Sequence, residues 1–69
     1  MRLYSDYDDM TVWIHTQGYV PKTNMKNLIV MIFLHYEDEC EEECKEFNID
    51  DCKEYVQASG GIEMFDYEP

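Results

Sequence analysis

Seven consecutive apolar residues, positions 28–34, are followed within three positions by a run in which Glu37, Asp38, Glu39, Glu41, Glu42 and Glu43 crowd around Cys40. The first stretch has to be buried and the second has to stay in water, so the chain must pass from interior to surface between Leu34 and Glu37. An unbroken apolar run has no period to separate a buried helix from a buried strand. Three β-branched residues (Ile29, Val30, Ile32) beside Phe33 favour a central strand over residues 26–36. Alternate side chains then face opposite ways, and both faces need cover.

On the N-terminal side, residues 10–17 are rich in β-branched and aromatic side chains. Val12, Ile14 and Thr16 fall on one face and Trp13 and His15 on the other, which predicts a second strand. A short strand at residues 2–4 and a polar turn at residues 6–9 precede it. The alternating acids of a calcium loop are present there, but its sixth and twelfth places hold Thr11 and Gln17 instead of glycine and glutamate, which excludes that site. Gly18, Pro21 and Asn24 mark residues 18–24 as a loop.

On the C-terminal side, residues 37–47 are helical by composition, with Tyr36, Cys40, Cys44 and Phe47 forming one apolar stripe at helical spacing. A second short helix follows, with Asn48 or Asp50 as N-cap, Ile49, Cys52, Tyr55 and Val56 as its buried face, and Gly60 as its stop. Ile62 and Met64 alternate with Glu63 and Phe65 as in a last strand over residues 62–68. The expected fold is α+β in order β-β-α-α-β, an antiparallel sheet of three or four strands covered by two short helices, in a single domain over residues 1–69. Two helices cover one sheet face, so the other calls for a homodimer, a partner protein or the Trp13 side of the chain.

At 69 residues the chain buries only about 60% of its unfolded surface, so a partner or second copy would help it. Its content of 45% apolar and 14% aromatic residues is too high for a disordered acidic tail. No stretch reaches the length of a membrane span, and an acidic cluster stands where a secretory signal would have its apolar core. Three cysteines, an odd number, suit a reducing compartment better than a disulfide framework, so a cytoplasmic protein is expected.

The net charge of −11 is unevenly spread: −2 over residues 1–9, +2 over residues 10–36, −8 over residues 37–54 and −3 over residues 55–69. Direct binding to nucleic acid or an anionic membrane needs the opposite sign, and a basic protein surface is the partner this charge favours. Along a helix over residues 37–47, the i,i+4 pairs Glu37/Glu41, Asp38/Glu42, Glu39/Glu43 and Glu42/Glu46 are like-charged, against one favourable pair, Glu41/Lys45. Each like pair costs roughly 0.2–0.5 kcal/mol. If that helix begins at Glu37, its dipole excuses only the acids of the first turn.

Among possible chemistries, His35, Cys40, Cys44 and Cys52 make up a four-ligand set for zinc, but they lack the paired C-x2-C spacing of common zinc sites and the thiols fit apolar stripes. No serine or cysteine has a motif-defined base beside it, no carboxylate pair stands apart, and there is no phosphate loop. A catalytic role and a cofactor are therefore not expected. In its general character the sequence resembles the small acidic proteins with which phages and mobile elements block DNA-binding proteins, including DNA mimics and some anti-CRISPR proteins. The likeness is one of composition and carries over no residue roles. It implies an inhibitor of viral or mobile-element origin acting in a host cytoplasm. The residues expected to meet the basic partner are Glu37, Asp38, Glu41, Glu42, Glu46, Asp50, Asp51 and Glu54. The alternative is a structural or adaptor protein that dimerises through a hydrophobic sheet face, with the acids serving solubility.

Overall fold

The apolar run is the interior of a helix. In the computed structural model, which describes residues 4–68, α1 (Tyr4–Thr16), α2 (Met25–Glu42) and α3 (Ile49–Ala58) succeed one another, and a 3-10 turn (Ile62–Phe65) follows. Among the described residues there is no strand, so the expected α+β architecture is replaced by an all-helical one.

Asn24, read from sequence as part of a loop, is the N-cap of α2, its side-chain oxygen accepting the Asn27 N–H at 2.7 Å. The 18 residues that follow rise about 27 Å, against a longest molecular dimension of 32 Å, which makes α2 the spine of the fold. Leu28, Ile29, Met31, Ile32, Phe33, Tyr36 and Cys40 are buried, because α1, α3 and the 3-10 turn all pack against this one helix. Leu34 alone in the run is largely exposed, at 54%. A helix enclosed on several flanks can be apolar nearly all round, so the missing period marked a central helix. The β-branched residues do not prevent it, since each costs only about 0.5 kcal/mol in helix propensity.

The strand expected over residues 10–17 and the turn expected at residues 6–9 are together α1. Tyr7, Met10 and Ile14, at i, i+3 and i+7, form its inner face, with Met10 and Ile14 fully buried and the Tyr7 ring edge-on to Phe33 at 5.2 Å. Thr11 and Thr16 donate their hydroxyls to the carbonyls of Tyr7 and Trp13, at 2.8 and 2.7 Å, which satisfies both within the helix. Of the strand expected at residues 2–4, Tyr4 is the first residue of α1, and Arg2 and Leu3 lie outside the described residues.

The helix expected over residues 37–47 is the second half of α2 and stops at Glu42. Cys44 is exposed and leaves the stripe, whereas Phe47 keeps its place through edge contacts with Phe33 at 5.5 Å and Tyr36 at 5.2 Å. The shorter helix is as expected: Asn48 caps α3 by accepting the Asp51 N–H at 3.0 Å, and Cys52 and Val56 are buried.

All three helices end in the same doubly hydrogen-bonded turn. Tyr19 N–H returns to the Ile14 carbonyl and Gly18 N–H to His15; Lys45 N–H returns to Cys40 and Cys44 N–H to Glu41; Gly61 N–H returns to Val56 and Gly60 N–H to Gln57. The turn needs a positive φ at its pivot. Gly18 (φ 74°) and Gly60 (φ 108°) supply it freely, but Cys44 (φ 53°) adopts a conformation that costs an L-residue about 1–2 kcal/mol.

The last expected strand, residues 62–68, is instead the 3-10 turn and the segment after it. Ile62 and Phe65 are buried there, and Asp66 is drawn inward by partners far away in sequence. With no sheet among the described residues, the hydrophobic sheet face on which dimerisation rested is gone. The large exposed apolar side chains (Tyr4, Val12, Val20, Leu34, Met64, Tyr67) are distributed over α1, α2, the loop between them and the C-terminal segment.

Candidate functional site

The fold places the candidate acids at one end of the molecule, where the C-terminus of α2 is tied by residues 43–48 to the N-terminus of α3. Glu37, Asp38, Glu41 and Glu42 lie in the last two turns of α2, Glu46 in the connection, Asp50 and Asp51 in the first turn of α3, and Glu54 one turn further on. By helical phase Asp38 and Glu41 fall on the side of α2 opposite Ile29, Ile32 and Tyr36, with Glu37 and Glu42 on its two flanks. Asp38, Glu41, Glu42, Glu46, Asp50 and Glu54 are exposed, and Glu37 and Asp51 are half-buried.

The two helix ends treat these charges in opposite ways. A helix carries about half a positive charge at its N-terminus and half a negative charge at its C-terminus. Asp50 and Asp51 therefore stabilise the start of α3, whereas α2 has no acid in its first turn, no basic residue in its last, and its carboxylates gathered at the negative end. Because α2 begins at Met25, the excuse that the dipole would offer acids at the start of a helix does not apply to Glu37, Asp38 or Glu39. The favourable Glu41/Lys45 pair is not formed either, since Lys45 turns away to α3.

Lys45 Nζ lies 3.0 Å from Asp51 Oδ2 and 5.6 Å from the centroid of the Tyr36 ring. The Tyr36 hydroxyl, on a wholly buried ring, donates to the same carboxylate oxygen at 2.6 Å. Those donations hold the Asp51 carboxyl below its ordinary value, the Tyr36 bond first and the Lys45 bond second. Tyr36 is pushed up by burial and then by the bond to Asp51, and Lys45 is pushed up by Asp51. Lys53 is engaged too, 3.1 Å from Asp9 on α1 and 3.9 Å from Asp50. Both lysines of the acidic region thus serve the fold, and Asp51 is occupied from within. Asp38, Glu41, Glu42 and Glu46 have no such partner among the described residues.

The four residues of the zinc set are not brought together. Cys40 and Cys52 are buried in the core, Cys44 is exposed beyond the end of α2, and His35 Nε2 is within 2.9 Å of the Tyr67 hydroxyl. Among the described residues no three His, Cys, Asp or Glu side chains meet in a way that would hold a metal ion, and no helix is long and apolar enough to cross a membrane.

A second polar centre had no sequence signal. Asp66, only 9% exposed, accepts four hydrogen bonds: from the Tyr19 hydroxyl (2.6 Å) and Lys22 N–H (2.6 Å) on Oδ2, and from Thr23 N–H (3.2 Å) and the Thr23 hydroxyl (2.8 Å) on Oδ1. Asn27 Nδ2 extends the network, donating to Thr23 Oγ1 and to the Tyr67 carbonyl, each at 3.2 Å. Burial alone would raise the Asp66 carboxyl, but the bonds from Tyr19, Lys22 and Thr23 outweigh it and hold the group well below the carboxylate range. The Tyr19 hydroxyl is pushed up to about 12, first by its bond to Asp66 and then by burial. This centre fastens the loop between α1 and α2 to the C-terminal segment and fixes the Tyr19 ring.

Comparison with protein-family models, with curated proteins and with solved structures finds no match.

Proposed function

We propose that the protein is a small, non-enzymatic acidic inhibitor or regulator that covers the basic, nucleic-acid-binding surface of another protein, in the manner of a DNA mimic or an anti-CRISPR protein of a phage or mobile element. One observation carries this reading: Asp38, Glu41 and Glu42 are gathered at the negative end of α2 with no cation paired to them among the described residues, where they cost the free protein stability. Five carboxylates between Glu37 and Glu42 occupy about 7.5 Å of helix axis, one per about 1.9 Å, close to the roughly 1.7 Å per phosphate charge of a DNA duplex. The helical part of the array is shorter than the sequence suggested, because residues 43–48 leave the helix. Lys and Arg of the partner would meet Asp38, Glu41, Glu42 and Glu46, with Glu37, Asp50 and Glu54 at the margin. Exposed charges of this kind speed association, and buried anchors set the lifetime of the complex.

The test is capture of a nucleic-acid-binding partner from the native host, followed by association kinetics. Raising salt from about 50 to about 500 mM should slow association at least tenfold, since pairs between exposed charges are screened. Replacing Glu41, Glu42 and Glu46 together by lysine should abolish capture and restore nucleic-acid binding by the partner. An association rate indifferent to salt would remove the charge mimicry.

A further inference from the structure

A cleft of about 330 Å3 opens at the far end of α1 and α3, lined by Gln17, Tyr19, Gln57, Gly61, Ile62 and Glu63. Its size is at the bottom of the range for small-molecule sites, about 300–1,000 Å3, and suits one side-chain head better than an extended ligand. Glu63 is the one charged side chain among its lining residues. Gln17 is the residue after the last turn of α1, Gln57 lies in the last turn of α3 and Gly61 just beyond it, so two helix C-termini bring their partial negative charge to one place. Glu63 adds a full carboxylate, close enough to Tyr19 to help push up its hydroxyl, and the Asp66 carboxylate holds the hydroxyl end of Tyr19. Lys22, the cation whose backbone approaches Asp66, has an exposed side chain and does not line the cleft. The Tyr19 ring is held in position by its bond to Asp66, and Ile62 gives the floor an apolar patch.

We infer that this cleft receives a guanidinium group, carried on an arginine side chain of the basic partner. The partner rests on the reading of the preceding subsection, whereas the chemistry of the cleft stands apart from it. A planar guanidinium stacks on an aromatic face and is held by a carboxylate through paired N–H donors; an ammonium does the first less well and the second as a point charge. The amide oxygens of Gln17 and Gln57 supply acceptors for the remaining N–H groups. The cleft therefore offers a shaped contact, with an aromatic ring and a carboxylate side by side, that the exposed acids at the opposite ends of α2 and α3 do not.

The experiment is an amide-resolved NMR titration of the full chain with N-acetyl-arginine methylamide, its neutral analogue N-acetyl-citrulline methylamide, the corresponding lysine compound, and agmatine as a free guanidine. The expected result is saturable shifts in the low millimolar range at Gln17, Tyr19, Gln57, Gly61 and Glu63 with the arginine compound, at least threefold weaker binding of lysine, and no saturable response to citrulline. Glu63→Gln should weaken arginine at least fivefold with the remaining amide spectrum unchanged, Glu42→Gln should leave it within twofold, and Gln57→Arg, which fills the cleft with the chain's own guanidinium, should abolish the titration. Equal shifts with citrulline, an unaffected Glu63→Gln variant, or shifts centred on residues 37–46 would overturn the proposal. Agmatine binding more than tenfold tighter than blocked arginine would overturn the assignment to a partner's side chain and indicate a free guanidine. None of these readouts needs the partner, so failure here leaves the acidic surface standing, and failure of capture leaves the cleft result intact.

Discussion

Removing the charges of Glu41 and Glu42 should make the protein more stable. Both residues stand in the last turn of α2, and Glu37/Glu41 and Asp38/Glu42 are like-charged i,i+4 pairs wholly inside that helix. Replacing both by glutamine changes helix propensity little and removes two repulsions of roughly 0.2–0.5 kcal/mol each. It also removes two charges from the negative end of the dipole, at the lower limit of about 0.3 kcal/mol apiece because they are exposed. The sum is a gain of about 1–1.6 kcal/mol at low salt, which for a domain of this size raises Tm by about 5–10 °C. Thermal unfolding of the parent and of Glu41→Gln/Glu42→Gln at about 20 mM and about 500 mM salt measures it, and the difference should shrink by half or more at the higher salt. Asp50→Asn is the control of opposite sign: in the first turn of α3 the dipole favours the acid, so Tm should fall. A double variant that melts at or below the parent at low salt would refute the reasoning, and so would a gain that salt does not touch.

Asp66→Asn turns an NH2 group toward two donors, Tyr19 Oη and Lys22 N–H, or toward the two of Thr23, and should cost about 2–4 kcal/mol in urea unfolding. Because the folded carboxyl is held below its unfolded value of 3.8, its contribution is complete above about pH 5 and is lost as pH falls through and below 4, so the parent should lose more stability on acidification than the variant. Asp51 titrates in the same sense, and Tyr36→Phe should reduce its share of that acid sensitivity. Cys44→Gly should stabilise by up to about 1 kcal/mol by relieving the positive φ, net of the freedom glycine gains in the unfolded chain, and Cys44→Val should destabilise. With a thiol reagent on the native protein, Cys44 should react fast while Cys40 and Cys52 wait for unfolding; three equal rates would contradict the burial pattern.

What could be read from the sequence depended on how local each signal was. α3 was legible because cap, buried face and stop lie within a dozen residues, at Asn48, at Cys52 and Val56, and at Gly60. The acidic cluster was legible because charge needs no fold. α2 was misread because burial on several flanks erased the period in residues 28–34. A window from Asn24 to Glu42 shows it, since Leu28, Ile29, Ile32, Phe33, Tyr36 and Cys40 recur at helical spacing behind an Asn cap. In α1, strand propensity at Val12, Trp13 and Ile14 outweighed the weaker pattern of Tyr7, Met10 and Ile14, and packing against α2 decided otherwise. Nothing near Asp66 in sequence foretold its role, because its partners are 43–47 residues away.

α1, α3 and the 3-10 turn each lean on α2, while Lys53 reaching Asp9 gives α1 and α3 a polar strap of their own. Such a hub with spokes distributes tolerance to change very unequally. A spoke can loosen, slide or be redrawn by evolution while the hub keeps its neighbours in register, but a charged residue at Ile32 or Tyr36, both wholly buried, disturbs the core on which every spoke leans. Drift in a lineage of such proteins is therefore expected to spare α2's inner stripe and run freely along the outer sides of α1 and α3.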